Sequence, residues 1–131
     1  MQIRRTTADY MPVLLLDSNP ARAAELAACL EMKGFPTRVA HSAAGAQAAI
    51  RDIRFATLIV VADAAVGLDK LRELRRRAAR SWIIVVSPRC DTDTCNLIYR
   101  HGGDACLAAP ASIDELTRRL AAFQLRARPT F

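Results

Sequence analysis

The chain is poor in lysine, aromatics and glycine, and each shortage removes a class of function. Lysine occurs only at Lys33 and Lys70, so the net charge of +6 is carried almost entirely by arginine. That balance permits acidic partners but says nothing about fold. Aromatic residues are 5% of the chain, and none interleaves the basic cluster Arg72, Arg75, Arg76, Arg77 and Arg80. Without stacking platforms or a recognition motif, the cluster reads as a solvated helix face partly paired with Glu73, not a nucleic-acid surface. No glycine falls within residues 17–20, which excludes a glycine-rich phosphate loop after the first strand. Apolar runs are no longer than a strand, so none spans a membrane. The opening Met-Gln-Ile-Arg-Arg-Thr-Thr lacks the apolar segment of a secretory signal, leaving the cytoplasm as the expected location. The four cysteines, Cys29, Cys90, Cys95 and Cys106, form no Cys-x-x-Cys pair. They are expected to act as small buried hydrophobes, not as zinc ligands. Cys90 and Cys95 lack the neighbouring lysine or helix-start signal of a redox pair.

What is present is a regular alternation. Thr57–Ala62 is an apolar, β-branched strand closed by Asp63, the pattern of a strand buried on both faces. Val13–Leu16 is a similar run ending at Asp17-Ser18-Asn19-Pro20, where Asn19 caps and Pro20 starts a helix reaching about Lys33. Gly34 stops it. Phe35–Ala40 is a short strand weakened by Pro36 and so placed at an edge. Ser42 caps a second helix with Ala46, Ala49, Ile50 and Ile53 on one face. The third helix spans Leu68–Arg80, and Trp82–Val86 is the fourth strand, ending at Ser87-Pro88. Asp91 or Thr92 opens a fourth helix, closed by Gly102-Gly103. Ala105–Ala108 is the fifth strand, and Ser112 with Glu115 makes the capping box of the last helix, whose face is Ile113, Leu116, Leu120 and Phe123. His41 and His101 read as loop or helix-end residues. Five strands alternating with five helices over 131 residues predict one α/β domain with a parallel sheet, helices on both faces and right-handed crossovers. Residues 1–11 read as a lead-in, 12–125 as the domain, and 126–131 as a tail or the start of a linker to an output module. Nucleic acid would enter only through such an appended domain.

Val-Leu-Leu-Leu-Asp-Ser-Asn-Pro (13–20), Ile-Ile-Val-Val-Ser (83–87) and Gly-Gly-Asp-Ala-Cys-Leu-Ala-Ala-Pro (102–110) resemble segments of the receiver domain of bacterial response regulators. Ser87 and Ala109 stand at that family's usual interval between its Ser/Thr and its Lys. The resemblance covers about residues 12–125 and implies a flavodoxin-like, doubly wound (βα)5 fold with strand order 2-1-3-4-5. A working receiver holds Mg²⁺ on two acidic residues after strand 1. It accepts a phosphoryl group on an Asp ending strand 3, and stabilises that group with a Lys and a Ser/Thr.

The chain departs from that pattern. Asp17 remains as the one candidate metal ligand, but its acidic neighbour is replaced by Ser18. Ala109 stands at the Lys position, and neither Lys33 nor Lys70 can substitute from its place in sequence. Cys106 stands where an aromatic switch residue is usual, while Ser87 is kept. Anchoring on Asp69 and Leu71 as the family's Asp-Gly-Leu places Ala62 at the acceptor position; a one-residue deletion in the loop would instead bring in Asp63. Gly67 lies near the place of the loop's usual Pro.

Against each functional role stands a plainer one. Asp17 also suits a strand-to-helix turn, Asp63 a solvated turn, and Ser87 a hydroxyl bonded to nearby backbone. The expected function is a degenerate receiver: a non-enzymatic, phosphorylation-independent interaction or dimerisation module needing no cofactor. Its partner face, implied by the resemblance, lies on helix 4, strand 5 and helix 5, with Asn96, Arg100, His101, Asp104, Arg118 and Arg119. The partner would be a second copy, a histidine kinase or an output domain. The alternative is a working receiver phosphorylated on Asp63 by a histidine kinase with Mg²⁺. A ligand-binding or enzymatic flavodoxin-like domain is the weakest reading, since no nucleophile–base pair is evident.

Overall fold

The computed structural model describes residues 11–64 and 66–125; the tail 126–131 and all of the lead-in but Met11 lie outside them. Five strands, β1 (Val13–Leu16), β2 (Thr37–Ala40), β3 (Thr57–Val61), β4 (Trp82–Ser87) and β5 (Ala105–Ala108), alternate with five helices, α1 (Pro20–Met32), α2 (Ala43–Asp52), α3 (Leu68–Arg77), α4 (Thr92–Arg100) and α5 (Ile113–Gln124). The strands form one parallel sheet in the order β2-β1-β3-β4-β5, the flavodoxin-like arrangement expected.

The helices start where the sequence says they should. Asn19, Ser42, Asp91 and Ser112 each accept a hydrogen bond from a backbone N–H in the first turn that follows, satisfying donors that a helix N-terminus leaves free. Strand alternation divides the interior into two layers. Leu14, Leu16, Leu58, Val60, Ile83 and Val85 pack under α2, α3 and α4. Val13, Leu15, Ile59, Ile84, Ala105 and Leu107 pack under α1 and α5. Fully burying one such aliphatic side chain stabilises the fold by about 1.5–3 kcal/mol. Gly102 takes a left-handed φ of 110° after α4, and any side chain there would strike that of Arg75.

Element ends differ from the sequence reading for local reasons. Past Val61, Ala62 N–H still donates to Val86 O, and the chain then turns: Asp63 N–H donates to Val66 O, and Val66 N–H returns to Asp63. α3 stops at Arg77, not Arg80, because the Arg75 guanidinium binds the carbonyls of Ala78 and Ser81 and draws the chain out of the helix. β2 starts at Thr37 because Phe35 N–H closes α1 on Leu30 O. Ile53 terminates α2 and is 42% exposed, so it is not part of the buried face.

Thr57 lies fully buried in β3, and its hydroxyl is the buried side-chain polar group without a hydrogen-bond partner among the described residues. Leaving such a group unsatisfied costs about 1–3 kcal/mol. Thr57→Val is therefore expected to stabilise the fold by about 1 kcal/mol, read as a higher urea midpoint at unchanged slope. A lower midpoint would contradict this account.

Candidate functional site at the carboxyl edge of the sheet

The parallel register brings the ends of β1, β3, β4 and β5 to one edge, with Leu16 beside Val60, Val61 beside Val86 and Ser87 beside Ala108. Asp17 follows β1 directly and is fully buried. Its Oδ1 accepts from Asn19 N–H at 3.0 Å and from Arg22 Nη2 at 2.6 Å, and its Oδ2 accepts from Arg22 Nε at 2.7 Å. The Asn19 cap and Pro20 start place Arg22 in the first turn of α1, directly over this carboxylate. The result is a two-pronged guanidinium–carboxylate fork, stronger and more directional than a single ionic contact. The hydrogen bond to Asp17 raises the Arg22 pKa above its ordinary value, with smaller contributions from the charges of Asp17 and Asp63, against a desolvation penalty.

Ser18 turns to the next strand end and donates its hydroxyl to Asp63 Oδ2. Asp63 Oδ1 accepts from Val66 N–H at 2.9 Å, so the half-buried carboxylate is held within its own turn. Ala62, Asp63 and Ser87 line a largely apolar cavity of about 370 Å³ beneath α4. Ser87 is buried, and its Oγ accepts from Arg89 N–H at 3.3 Å. Ala109 lies across the sheet, where its N–H donates to Ser87 O. It lines a different cavity of about 560 Å³, together with Asp17 and Arg22. The residues singled out in the sequence therefore fall into two adjoining groups. One is Asp17 and Ala109, joined by Arg22; the other is Ala62, Asp63 and Ser87, with Ser18 bridging them.

Magnesium, the ion the resemblance implies for this corner, meets a poor donor set. Mg²⁺ wants near-octahedral oxygen ligands. Both oxygens of Asp17 already accept from Arg22, and Ser18 offers a neutral hydroxyl committed to Asp63. An ion at Asp17 would compete with the guanidinium for that carboxylate, with Asp63, bonded to Ser18, as a second carboxylate in the corner.

On the α4–β5–α5 side, Asn96, Arg100, Arg118 and Arg119 are exposed and His101 is partly covered. His101 Nδ1 lies 2.8 Å from Leu97 O in the last turn of α4. Asp104 is committed elsewhere: it pairs with Arg75 Nη1 at 3.0 Å and accepts from Ile83 N–H at 2.9 Å. The same ion pair removes Arg75 from the solvated basic face of α3. Leu97 and Tyr99, which the sequence reading did not single out, are 43% and 49% exposed beside Asn96 and Arg100. The reading also missed Arg22, although a cation in the first turn of a helix that follows a strand-end Asp was a visible signal. It missed, too, the meeting of Cys90, Cys95 and Cys106, which depends on the β4–α4 loop passing beside β5. Burial, with hydrogen bonds to Cys90 and Cys95, pushes the Cys106 thiol pKa well above its ordinary value.

Replacing Arg22 by Met would leave the Asp17 carboxylate buried without its cation. Breaking a wholly buried pair costs about 3–5 kcal/mol. The Arg22 side chain is 50% exposed, so water can enter and the expected loss is about 1–2 kcal/mol. A double-mutant cycle with Asp17→Asn, read by urea denaturation, should recover most of that loss as coupling between the two residues. Strict additivity would dismiss the fork as a stabilising contact.

No protein-family model matches the sequence, and a search of curated proteins finds no match. Solved structures do match. The receiver domain of a Francisella response regulator superposes with a TM-score of 0.80 at 24% identity, over 88% of this chain and 98% of that one. A two-component response regulator from Clostridium difficile gives 0.81 at 18%, over 88% and 97%. An orphan response regulator of H. pylori gives 0.75 at 23%, over 87% and 96%. With the strand order and the strand-end positions of Asp17, Ser87 and Ala109, these likenesses establish that the chain has the fold of a CheY-like response-regulator receiver domain.

Proposed function

We propose that this domain is a receiver-type signalling module that works without phosphoryl transfer, as a non-enzymatic protein-interaction or dimerisation unit. The observation that carries the reading is the Asp17–Arg22 fork. Receiver chemistry rests on positioning and on neutralising charge at the transferring group. In this chain the strand-1 carboxylate is already neutralised from within. The second acidic position is Ser18, and Ala109 brings no ammonium. Ala62 shares the cavity of Ser87 and has no nucleophile. Asp63, the other possible acceptor, spends one oxygen on Ser18 and the other on Val66 N–H.

Function then rests on surface. The α4–β5–α5 face carries Arg100, Arg118 and Arg119 beside the exposed Leu97 and Tyr99, a mixture of cations and apolar area that suits an acidic protein partner or a second copy. The neighbours are response regulators, which makes a kinase or an output domain the expected class of partner. One observation favours the alternative, phosphorylation of Asp63 with Mg²⁺: its carboxylate lies at Ser18, in the same corner as Asp17.

Intact mass after incubation with Mg²⁺ and acetyl phosphate separates the two readings. Wild type and Asp63→Ala are both expected to keep their mass, with a thermal midpoint that Mg²⁺ does not move. One added phosphoryl group in wild type only would make Asp63 the acceptor and overturn the proposal. Sedimentation of Arg100→Glu/Arg118→Glu, alongside pull-downs with kinases and output domains, tests the face. The substitutions are expected to abolish association, and a wild-type chain that stays monomeric and binds none of these partners would refute the interaction role.

A further inference from the structure

Three cysteines far apart in sequence meet beside α4. Cys90 lies in the β4–α4 loop. Cys95 lies in α4, its N–H bonded to Asp91 O at 2.9 Å. Cys106 lies in β5; its neighbours Ala105 and Leu107 face the α1–α5 layer, whereas Cys106 packs against the α2–α3–α4 layer. The Sγ atoms of Cys90 and Cys106 are 3.0 Å apart, Cys95 Sγ lies 3.5 Å from Cys90 O, and all three sulfurs fall within 4.8 Å of one another. All are half-buried free thiols, while Cys29 is exposed on α1 and takes no part. Among the described residues, no histidine or carboxylate joins the group.

We propose that Cys90, Cys95 and Cys106 form a three-coordinate thiolate site for a soft monovalent metal ion, copper(I). The donor set is all sulfur, which selects copper(I) or zinc over the hard cations. Zinc in a closed protein site is almost always four-coordinate, and this cluster supplies three ligands. Thiolates bound at about 2.3 Å around one centre stand about 4 Å apart. The present spread, from 3.0 Å to at most 4.8 Å, brackets that spacing. Cys90 sits in a loop, so the adjustment needs no change in the sheet. Binding exchanges three thiol protons, released to solvent, for one copper(I), and no electron is transferred. The complex carries two net negative charges near the N-terminal end of α4, where the helix dipole favours anions and the carboxylates of Asp91 and Asp93 oppose them. The site would tie loop, helix and strand together at the edge of the proposed partner face. It rests on the sulfur geometry alone and stands whether or not the signalling reading holds.

The test is competition with the chromophoric copper(I) chelator bicinchoninate, on fully reduced full-length protein under argon. Wild type is expected to withdraw one copper(I) per chain, with X-ray absorption showing three sulfur neighbours. Outer-shell changes already weaken metal sites about 10–100-fold, so loss of a ligand in Cys106→Ser or Cys90→Ser should weaken binding more than about 100-fold. Cys29→Ser should bind like wild type. Cys90→Ser alters a loop and keeps the test valid if Cys106→Ser, in a strand, fails to fold. The proposal is overturned if wild type leaves copper with the chelator, or if uptake follows Cys29. Uptake that survives Cys90→Ser, or a Cys90–Cys106 disulfide that resists reductant, would overturn it equally.

Discussion

A parallel sheet covered on both faces leaves one place for polar function, the carboxyl edge of its strands. β1 and β3 are buried along their whole lengths, as is all of β4 but partly covered Trp82, so no side chain within them reaches water easily. The exception proves costly: Thr57, near the opposite end, carries a hydroxyl with nothing to bond. At the carboxyl edge burial does not stop with the strands. Asp17 is as inaccessible as the leucines before it, and a lone carboxylate there would be far more expensive than a lone hydroxyl. Something positive has to be present whenever this residue is ionised.

A protein can meet that demand with a soluble cation or with one of its own side chains, and the two solutions have different consequences. A soluble ion exchanges, keeps coordination positions open for a substrate oxygen, and can bridge to a transferring phosphoryl group. A guanidinium donating from Nε and Nη2 is fixed by the helix that carries it and engages both carboxylate oxygens. The neighbouring replacements agree with the second solution. Ser18 adds no charge for an ion to balance, and Ala109 adds no second cation to a corner that Arg22 already serves. Each of these residues is unremarkable alone; together they leave the Asp17 carboxylate paired within the chain, with the Asp63 carboxylate beside it at Ser18.

Local physics was legible in the sequence, and long-range pairing was not. The caps at Asn19, Ser42 and Ser112, the edge strand after Pro36 and the two-sided burial of 57–61 follow from neighbouring residues, and the structure shows them. Strand order followed from alternation together with the resemblance. What escaped depends on residues brought together by the sheet. Arg75 looks like one cation in a solvated run until the turn after α4 places Asp104 beside it. Ile53 fits the spacing of α2 but falls one residue past its end. Cys90 and Cys95 are close in sequence, but Cys106 lies beyond the rest of α4 in β5, so no spacing rule could gather all three. Arg22 is the intermediate case: its place in the first turn was readable, but the full burial of Asp17, which makes the pairing obligatory, was not.

The least anchored part of the functional edge is α4. It fully buries one side chain, Ile98, whereas α5 buries Leu116, Leu120 and Phe123. It also roofs the 370 Å³ cavity lined by Ala62, Ser87 and its own Leu97. Few buried apolar contacts above a void mark a segment that opens at low free energy. Cys95 of α4 stands beside Cys90 of the preceding loop and Cys106 of β5. Bonds made across those sulfurs would hold α4 to β5 more firmly than the packing of Ile98 does. A ligand can shift such an element only by its differential affinity for the two arrangements, and the proposed copper(I) site, with one of its three sulfurs on α4, would supply that difference.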